Sequence, residues 1–116
     1  MNSASPNILF VCSANKQRSK TAEDYFSVTY PDYSFTSAGT NLKICEKEGT
    51  NPLTLELLQQ ADLVFVMENR HKKIINDSLK GQLKKEIIVL NIPDLYKYYQ
   101  KELIELLQNK MKPYFE

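Results

Sequence analysis

An eight-residue segment near the start of the chain carries the residue types that phosphate chemistry requires. It reads CSANKQRS from Cys12 to Ser19, with five residues between the cysteine and the arginine. A thiolate can attack phosphorus as a nucleophile, and a guanidinium can donate two parallel hydrogen bonds to phosphate oxygens. A loop that wraps around a phosphate group needs about this length. The spacing therefore predicts an anion site with Cys12 beneath the phosphorus and Arg18 on its oxygens.

The residues on either side predict that this segment is a loop between a strand and a helix. Residues 7–11 contain the apolar run ILFV, which is typical of a strand covered on both faces. Residues 19–29 carry apolar side chains at helical spacing. The N–H groups and the dipole at the start of a helix attract anions. Together with a cationic neighbour, they also favour the thiolate form of a cysteine.

The rest of the pattern predicts an α/β fold. Further strands are predicted at 33–38, 63–67 and 86–90, and further helices at 51–61, 69–79 and 97–110. Residues 39–50 show no clear period and are predicted to be a loop, after which Asn51 caps a helix at Pro52. The helix over 69–79 is expected to end at Lys80-Gly81. Strands that alternate with helices favour a parallel sheet flanked by helices, and we expect the flavodoxin-like strand order 2-1-3-4.

Composition sets broad limits on the class of protein. The 116 residues fit one domain over 1–116, with a frayed start at 1–6. Fifteen basic and fourteen acidic residues leave a net charge of +1, so neither nucleic acid nor a membrane surface is the expected partner. Two widely spaced cysteines and the absence of a long apolar run favour a cytoplasmic protein. The single histidine, His71, cannot make a metal site alone and is predicted to lie on a helix surface.

The motifs together resemble one known family over nearly the whole chain. Cys12 to Ser19 is similar to the phosphate loop of the low-molecular-weight protein tyrosine phosphatases. The stretches SAGT at 37–40, ADLVFVM at 61–67 and DLY at 94–96 resemble, in the same order, their second-strand, third-strand and acid-loop motifs. The shortness of the chain resembles a compact bacterial branch of that family. The resemblance implies a protein tyrosine phosphatase that acts without a metal or cofactor.

The resemblance also implies a role for individual residues. Cys12 would be the nucleophile that forms a phosphocysteine, Arg18 would bind the phosphoryl group, and Asp94 would be the general acid. Asp94 has rivals in Asp62, Glu68 and Asp77, but it alone matches the acid loop. The phosphate-binding loop would comprise Ser13, Ala14, Asn15, Lys16, Gln17 and Arg18. Ser19 would bind the sulfur, Ser37 would bind Asn15, and Tyr96 would form a wall of the substrate pocket.

Substrate and reaction type stay partly open at this stage. The expected partner is a phosphorylated protein or a small phosphomonoester, and no oligomeric state is predicted. Ser13 and Lys16 stand where typical members have apolar pocket residues, so Lys16 indicates either a more anionic substrate or a merely solvated side chain. Cys12-Ser13-Ala14 also resembles the phosphocysteine carriers of bacterial sugar transport. An arsenate reductase-like protein, or a phosphate-binding module without catalysis, is a further alternative.

Overall fold

The computed structural model describes residues 6–80, 82 and 85–115. Four strands and five α-helices follow one another along them, ahead of a short 3-10 turn at Lys112–Tyr114. In chain order they are β1 (Asn7–Cys12), α1 (Arg18–Thr29), β2 (Ser34–Gly39), α2 (Leu42–Glu48), α3 (Leu55–Gln60), β3 (Leu63–Val66), α4 (Asn69–Leu79), β4 (Ile87–Val89) and α5 (Lys101–Met111). Among these helices, none combines the length and the apolar character needed to cross a bilayer.

The four strands form one parallel sheet in the order β2-β1-β3-β4. This confirms the predicted fold class and strand order. Because all strands point the same way, their carboxyl ends meet at one edge, where open α/β sheets bind ligands. Cys12 and Gly39 are paired there at the ends of β1 and β2. The order of strands reverses at β1, so the predicted loop leaves the sheet at its switch point.

Two hydrophobic layers cover the sheet because successive side chains of β1 alternate between its faces. Ile8 and Phe10 belong to the layer that includes α1 and α5, with Phe26, Leu103 and Leu107. Leu9 and Val11 belong to the opposite layer, with Val64, Leu58 and Ile75. Every residue from Ile8 to Val11 is fully buried. The continuous apolar run in β1 therefore reflects burial on both faces, as predicted.

A helix replaces the loop that was predicted over residues 39–50. α2 begins after Asn41, whose side chain accepts a hydrogen bond from the N–H of Ile44, and ends at Gly49 in a left-handed conformation with φ of 71°. Cys45 is the single buried residue of this helix. The prediction was wrong because α2 has no apolar stripe, the feature by which amphipathic helices are recognised.

Two further helix boundaries differ from the prediction. Thr54, not Asn51, caps α3 by accepting a hydrogen bond from the N–H of Leu57. α5 begins at Lys101 rather than at residue 97, because Tyr99 has a left-handed φ of 61° that a right-handed helix cannot include. α4 has the predicted bounds and ends at Lys80, which is also left-handed. Gly81 and residues 1–5 of the predicted frayed start lie outside the described residues.

Candidate active site

Cys12 lies at the end of β1 with its sulfur hydrogen-bonded to a serine. Its Sγ is 3.0 Å from Ser19 Oγ, and both residues are buried. Ser19 Oγ already accepts a hydrogen bond of 2.9 Å from the side-chain amide of Asn15. The one hydroxyl hydrogen of Ser19 is therefore free to be donated to the sulfur of Cys12. A donor in this position stabilises negative charge on sulfur.

The side chain of Asn15 connects the loop to α1, to β2 and to the segment between α2 and α3. It has a left-handed φ of 54° and is 3% exposed. Its second amide hydrogen goes to Ser37 Oγ at 2.7 Å, and Ser37 in turn donates to Glu23 Oε1 at 2.5 Å. Its side-chain oxygen, Oδ1, accepts a hydrogen bond from the backbone N–H of Asn51 at 3.0 Å. The predicted contact between Asn15 and Ser37 is thus present, and the conformation of the loop is held from three sides.

The first three carbonyl groups of the segment are hydrogen-bonded to residues on either side of α2. The carbonyl oxygens of Cys12 and Ser13 accept hydrogen bonds from the N–H groups of Thr40 and Asn41, each at 2.9 Å. The carbonyl of Ala14 accepts from the hydroxyl of Thr50 at 2.6 Å. In a trans peptide the N–H points opposite to the C=O, and the described residues contain no cis peptide. The N–H groups that follow these carbonyls are therefore turned toward the other side, where an anion can accept from them.

Arg18 is a buried cation at the first position of α1. It is 2% exposed, and its Nη1 donates to Glu68 Oε2 at 2.5 Å and to the carbonyl of Ile92 at 2.7 Å. The guanidinium groups of Arg70 and Arg18 hold the pKa of Glu68 at about 2, so Glu68 is ionised at neutral pH. Glu68, which lies two residues after the end of β3, therefore orients Arg18 rather than carrying a proton.

Cys12, Arg18 and Asp94 line a single cavity of about 130 Å³, together with Ser13, Ala14, Lys16 and Gln17. Asp94 Oδ1 is 3.8 Å from Nε of Arg18, and the Asp94 side chain is 59% exposed at the mouth. The predicted nucleophile, cation and acid are thus brought together.

Tyr96 and Asp94 were predicted to share the substrate pocket. Tyr96 is half-buried and packs in part against the hydrophobic layer of α1 and α5. It is not among the residues that line the 130 Å³ cavity, so its contact with a substrate stays a prediction. A second cavity of about 550 Å³ is lined mainly by polar residues, and Lys16 lines both cavities. Tyr98 lines this second cavity, and its hydroxyl is 2.5 Å from Asp24 Oδ2.

His71 does not lie on a helix surface, and that prediction was wrong. It is completely buried in the first turn of α4, with Nε2 3.0 Å from Ser13 Oγ. It faces inward because the start of α4 packs against the loop, where the hydroxyl of Ser13 is its partner. Both ring nitrogens have protein partners. In the described part of the chain, no cluster of three or more His, Cys, Asp or Glu residues is arranged to hold a metal ion.

For four residues of the site, the sequence did not predict the contacts that the structure shows. Glu23 holds Ser37, Asn51 holds Asn15, Glu68 holds Arg18, and His71 holds Ser13. A signal existed for two of them: Glu23 lies one turn after Ser19 on the same helix face, and Glu68 follows a buried parallel strand. Asn51 and His71 gave no such signal, because their partners are 36 and 58 residues away in the chain.

Of the known proteins compared with this chain, only solved structures are similar to it. No protein-family model matches the sequence, and no curated protein matches it either. Solved structures do match. A mutant of YwlE from Bacillus subtilis is 26% identical with a TM-score of 0.72, and 97% of this chain aligns with 100% of it. The low-molecular-weight protein tyrosine phosphatase of T. tengcongensis is also 26% identical, with a TM-score of 0.69, over 96% of this chain and 100% of the other.

The chain is a structural relative of the low-molecular-weight protein tyrosine phosphatases. A third match, a YwlE arginine phosphatase with a phosphorylated serine in its active site, is 24% identical with a TM-score of 0.67. It aligns with 95% of this chain over 97% of its own length. The resemblance predicted from the motifs is thereby confirmed, and the matches cover 95–97% of this chain.

Proposed function

We propose that this chain is a phosphatase that hydrolyses phosphomonoesters, with phosphotyrosine in proteins as the first candidate, through a phosphocysteine on Cys12. One observation carries the proposal: the sulfur of Cys12, the guanidinium of Arg18 and the carboxyl of Asp94 line the same small cavity. The similarity to phosphatases of the same fold supports it. A nucleophile, a cation for the phosphoryl oxygens and a proton donor are the groups that the transfer needs.

In the first step, the thiolate of Cys12 attacks phosphorus while the bond from phosphorus to the leaving oxygen breaks. Asp94, protonated at this stage, gives its proton to the leaving oxygen, which departs as an alcohol or phenol. Arg18 and the N–H groups of the loop bind the three equatorial oxygens and stabilise their charge. The hydroxyl of Ser19 stabilises the thiolate before attack.

In the second step, water attacks the phosphorus of phosphocysteine. Asp94, now a carboxylate, accepts a proton from that water, the bond between sulfur and phosphorus breaks, and inorganic phosphate leaves. The step regenerates the thiolate of Cys12 and the protonated form of Asp94. Every positive charge that the scheme uses comes from this chain, so we expect turnover to continue in the presence of EDTA.

The test is turnover of para-nitrophenyl phosphate and of a phosphotyrosine peptide by four proteins. We expect Cys12→Ser to abolish turnover and Asp94→Asn to lower kcat by roughly 10²–10⁴, because general acid catalysis is typically worth this much. Asp77→Asn is the matched control, since it removes an exposed carboxylate of α4 that pairs with Lys73. The proposal is wrong if the wild type turns over neither substrate above the Cys12→Ser background.

Phosphoarginine is a second candidate substrate, and the comparisons favour it as much as phosphotyrosine. The match to YwlE has the same identity, 26%, as the match to the T. tengcongensis tyrosine phosphatase, and one YwlE structure is that of an arginine phosphatase. A phosphoarginine peptide in the same assay decides between the two. A higher kcat/KM for it would change the substrate while leaving the roles of Cys12 and Asp94 as proposed.

The carrier and arsenate alternatives make different predictions. A carrier holds phosphocysteine stably after exposure to a phosphodonor protein, whereas Asp94 beside the loop favours its hydrolysis. Arsenate reduction by this type of loop needs two further redox cysteines. The sequence offers only Cys45, which is buried behind the loop with its sulfur 3.6 Å from the carbonyl of Ala14. Mass spectrometry of the phosphodonor-treated protein separates the carrier from the hydrolase.

A further inference from the structure

His71 is a buried group that the proposed mechanism does not use. It is completely buried at the third position of α4, and it contacts the phosphate loop through Ser13. A buried polar ring is expensive unless its nitrogens are hydrogen-bonded. Both are: Nδ1 lies 3.1 Å from the backbone nitrogen of Glu68, and Nε2 lies 3.0 Å from Ser13 Oγ.

These two contacts fix where the single proton of the neutral ring lies. The backbone N–H of Glu68 can only donate, so Nδ1 must accept and carries no hydrogen. Nε2 therefore carries the hydrogen and donates it to Ser13 Oγ. Burial and the nearby charges of Arg18 and Arg70 lower the pKa of His71 to about 4, so the ring stays neutral at physiological pH.

The direction of this hydrogen bond determines what Ser13 can do. Its oxygen accepts from His71, so its one hydroxyl hydrogen is not used in that contact. Ser13 lines the cavity beside Cys12 and Arg18. The hydroxyl hydrogen is thus available to an acceptor in the cavity, such as a phosphoryl oxygen. Without the ring, the hydroxyl could rotate and turn its lone pairs toward the anion instead.

The same turn of α4 holds the phosphate loop at both of its ends. Glu68 binds Arg18 at the end of the loop, and His71, three residues later, binds Ser13 at its beginning. The N–H of His71 also donates to the carbonyl of Glu68 at 3.0 Å, so two hydrogen bonds join these residues. A shift of this helix start would move both ends of the loop together.

We propose that His71 is a positioning residue of the active site, which orients the hydroxyl of Ser13 as a hydrogen-bond donor to the bound phosphoryl group. The proposal rests on the proposed function, which it deepens by adding Ser13 and His71 to the groups that bind and hold the phosphoryl oxygens. Ser13 would touch the substrate, whereas His71 acts through Ser13 and the loop.

Two substitutions of His71 separate its two hydrogen bonds. In His71→Gln, the amide nitrogen can lie near the position of Nε2 and still donate to Ser13. In His71→Asn, the amide oxygen can lie near the position of Nδ1 and still accept from Glu68, but the side chain is too short to reach Ser13. Ser13→Ala removes the hydroxyl itself, and the double variant Ser13→Ala/His71→Asn completes the cycle.

The experiment measures kcat/KM for para-nitrophenyl phosphate, the Kd of inorganic phosphate by calorimetry, and the Tm of each variant. We expect Ser13→Ala and His71→Asn each to weaken phosphate binding and to lower kcat/KM by about tenfold, the usual effect of one hydrogen bond to a charged group. The double variant should have the same kcat/KM and the same Kd for phosphate as either single variant. His71→Gln should keep both values close to those of the wild type.

Other results would overturn the proposal. If His71→Asn lowers the Tm but leaves phosphate binding and kcat/KM unchanged, the role of His71 is structural only. If the losses in the double variant add, His71 does not act through Ser13. Because phosphate binding is measured separately, a wild type that binds phosphate without turnover defeats the proposed function but still tests His71. If His71→Asn does not fold, Ser13→Ala decides: unchanged phosphate binding in that variant refutes the proposal.

Discussion

At the scale of single residues, Asn15 accounts for much of the geometry of the site. Its left-handed backbone turns the loop, and its side chain binds Ser19, Ser37 and the N–H of Asn51. Asparagine suits the position because it tolerates positive φ and supplies donors and an acceptor together. The residue type alone indicated the turn, and the resemblance indicated Ser37. The bond to Asn51 could not be predicted, since Asn51 was expected to cap a helix.

Lys16 is the residue through which a preference for acidic substrates can be tested. It lines both the 130 Å³ cavity and the 550 Å³ cavity, and its Nζ is 3.0 Å from Glu48 Oε1 with both side chains exposed. Exposed pairs of this kind contribute only ~0–1 kcal/mol. A carboxylate next to the phosphorylated residue of a substrate could therefore replace Glu48 as the partner of Lys16.

We expect Lys16→Met to lower the ratio of kcat/KM for acidic over neutral phosphopeptides by roughly threefold to fivefold. The factor follows from the loss of one exposed ion pair of about 1 kcal/mol. Glu48→Gln is the matched variant, because it frees Lys16 from its partner and should raise the same ratio. Steady-state kinetics on two peptides of equal length measures it. Equal ratios in all three proteins would mean that Lys16 is merely solvated.

At the scale of elements, β2 and α2 form the support on which the loop rests. Gly39 ends β2 opposite Cys12, and a Cβ added to it would lie 2.5 Å from both Cys45 Sγ and the carbonyl oxygen of Ser13. Its φ is not in the left-handed region, so glycine is required here for space. Gly49, at the end of α2, is the opposite case: its φ is 71°, and an added Cβ would meet nothing within 4 Å.

We expect Gly39→Ala to destabilise the protein by about 3 kcal/mol or more and to lower kcat/KM by about 100-fold. Overpacking against backbone is costly, and a displacement of the loop by about 1 Å has a kinetic effect of this size. Gly49→Ala should cost about 1 kcal/mol through its backbone alone and leave kcat/KM unchanged. Urea unfolding and para-nitrophenyl phosphate turnover measure both. Full activity in Gly39→Ala would contradict the close packing of these elements.

The elements also show what could and could not be read from the sequence. β1, β3 and α4 were predicted nearly residue by residue, because continuous apolar runs and helical spacing report burial directly. α2 was missed because Cys45 is the only side chain that it buries. The start of α5 was placed four residues early, because the contact of Tyr99 with Thr21 joins residues 78 positions apart. Local pattern carries no information about such a contact.

At the scale of the whole molecule, the parallel sheet gathers distant groups at one edge. Cys12 follows β1, Glu68 follows β3, and Asp94 follows β4, and all three surround Arg18 or the cavity beside it. The sequence order of strands and helices predicted this convergence through the general rule for α/β sheets. The rule predicts which edge of the sheet holds these groups, but not which of them pair. The sequence therefore leaves Glu68 as a rival acid, whereas the structure shows it bonded to Arg18.

The stability of the whole molecule should depend on the protonation of His71. Its pKa is lowered to about 4 in the folded state from 6.5, by burial and by Arg18 and Arg70, against the opposing charges of Glu68 and Asp94. The unfolded chain therefore takes up a proton first as the pH falls. The contribution to stability is complete above about pH 6.5 and is lost between pH 6.5 and pH 4.

We expect the free energy of unfolding to fall by about 2 kcal/mol between pH 6.5 and pH 5, since each pH unit is worth about 1.4 kcal/mol for one proton. His71 is the only histidine of the sequence. Glu68, with its pKa near 2, loses its contribution only as the pH falls below about 4.5. Urea unfolding at pH 7, 6 and 5 measures the slope, and His71→Gln should remove it. A wild-type free energy that stays constant over this range would mean that His71 binds its proton equally well in the folded state. The ring could then not have its Nδ1 committed to the backbone of Glu68, and the contact with Ser13 would be a different one.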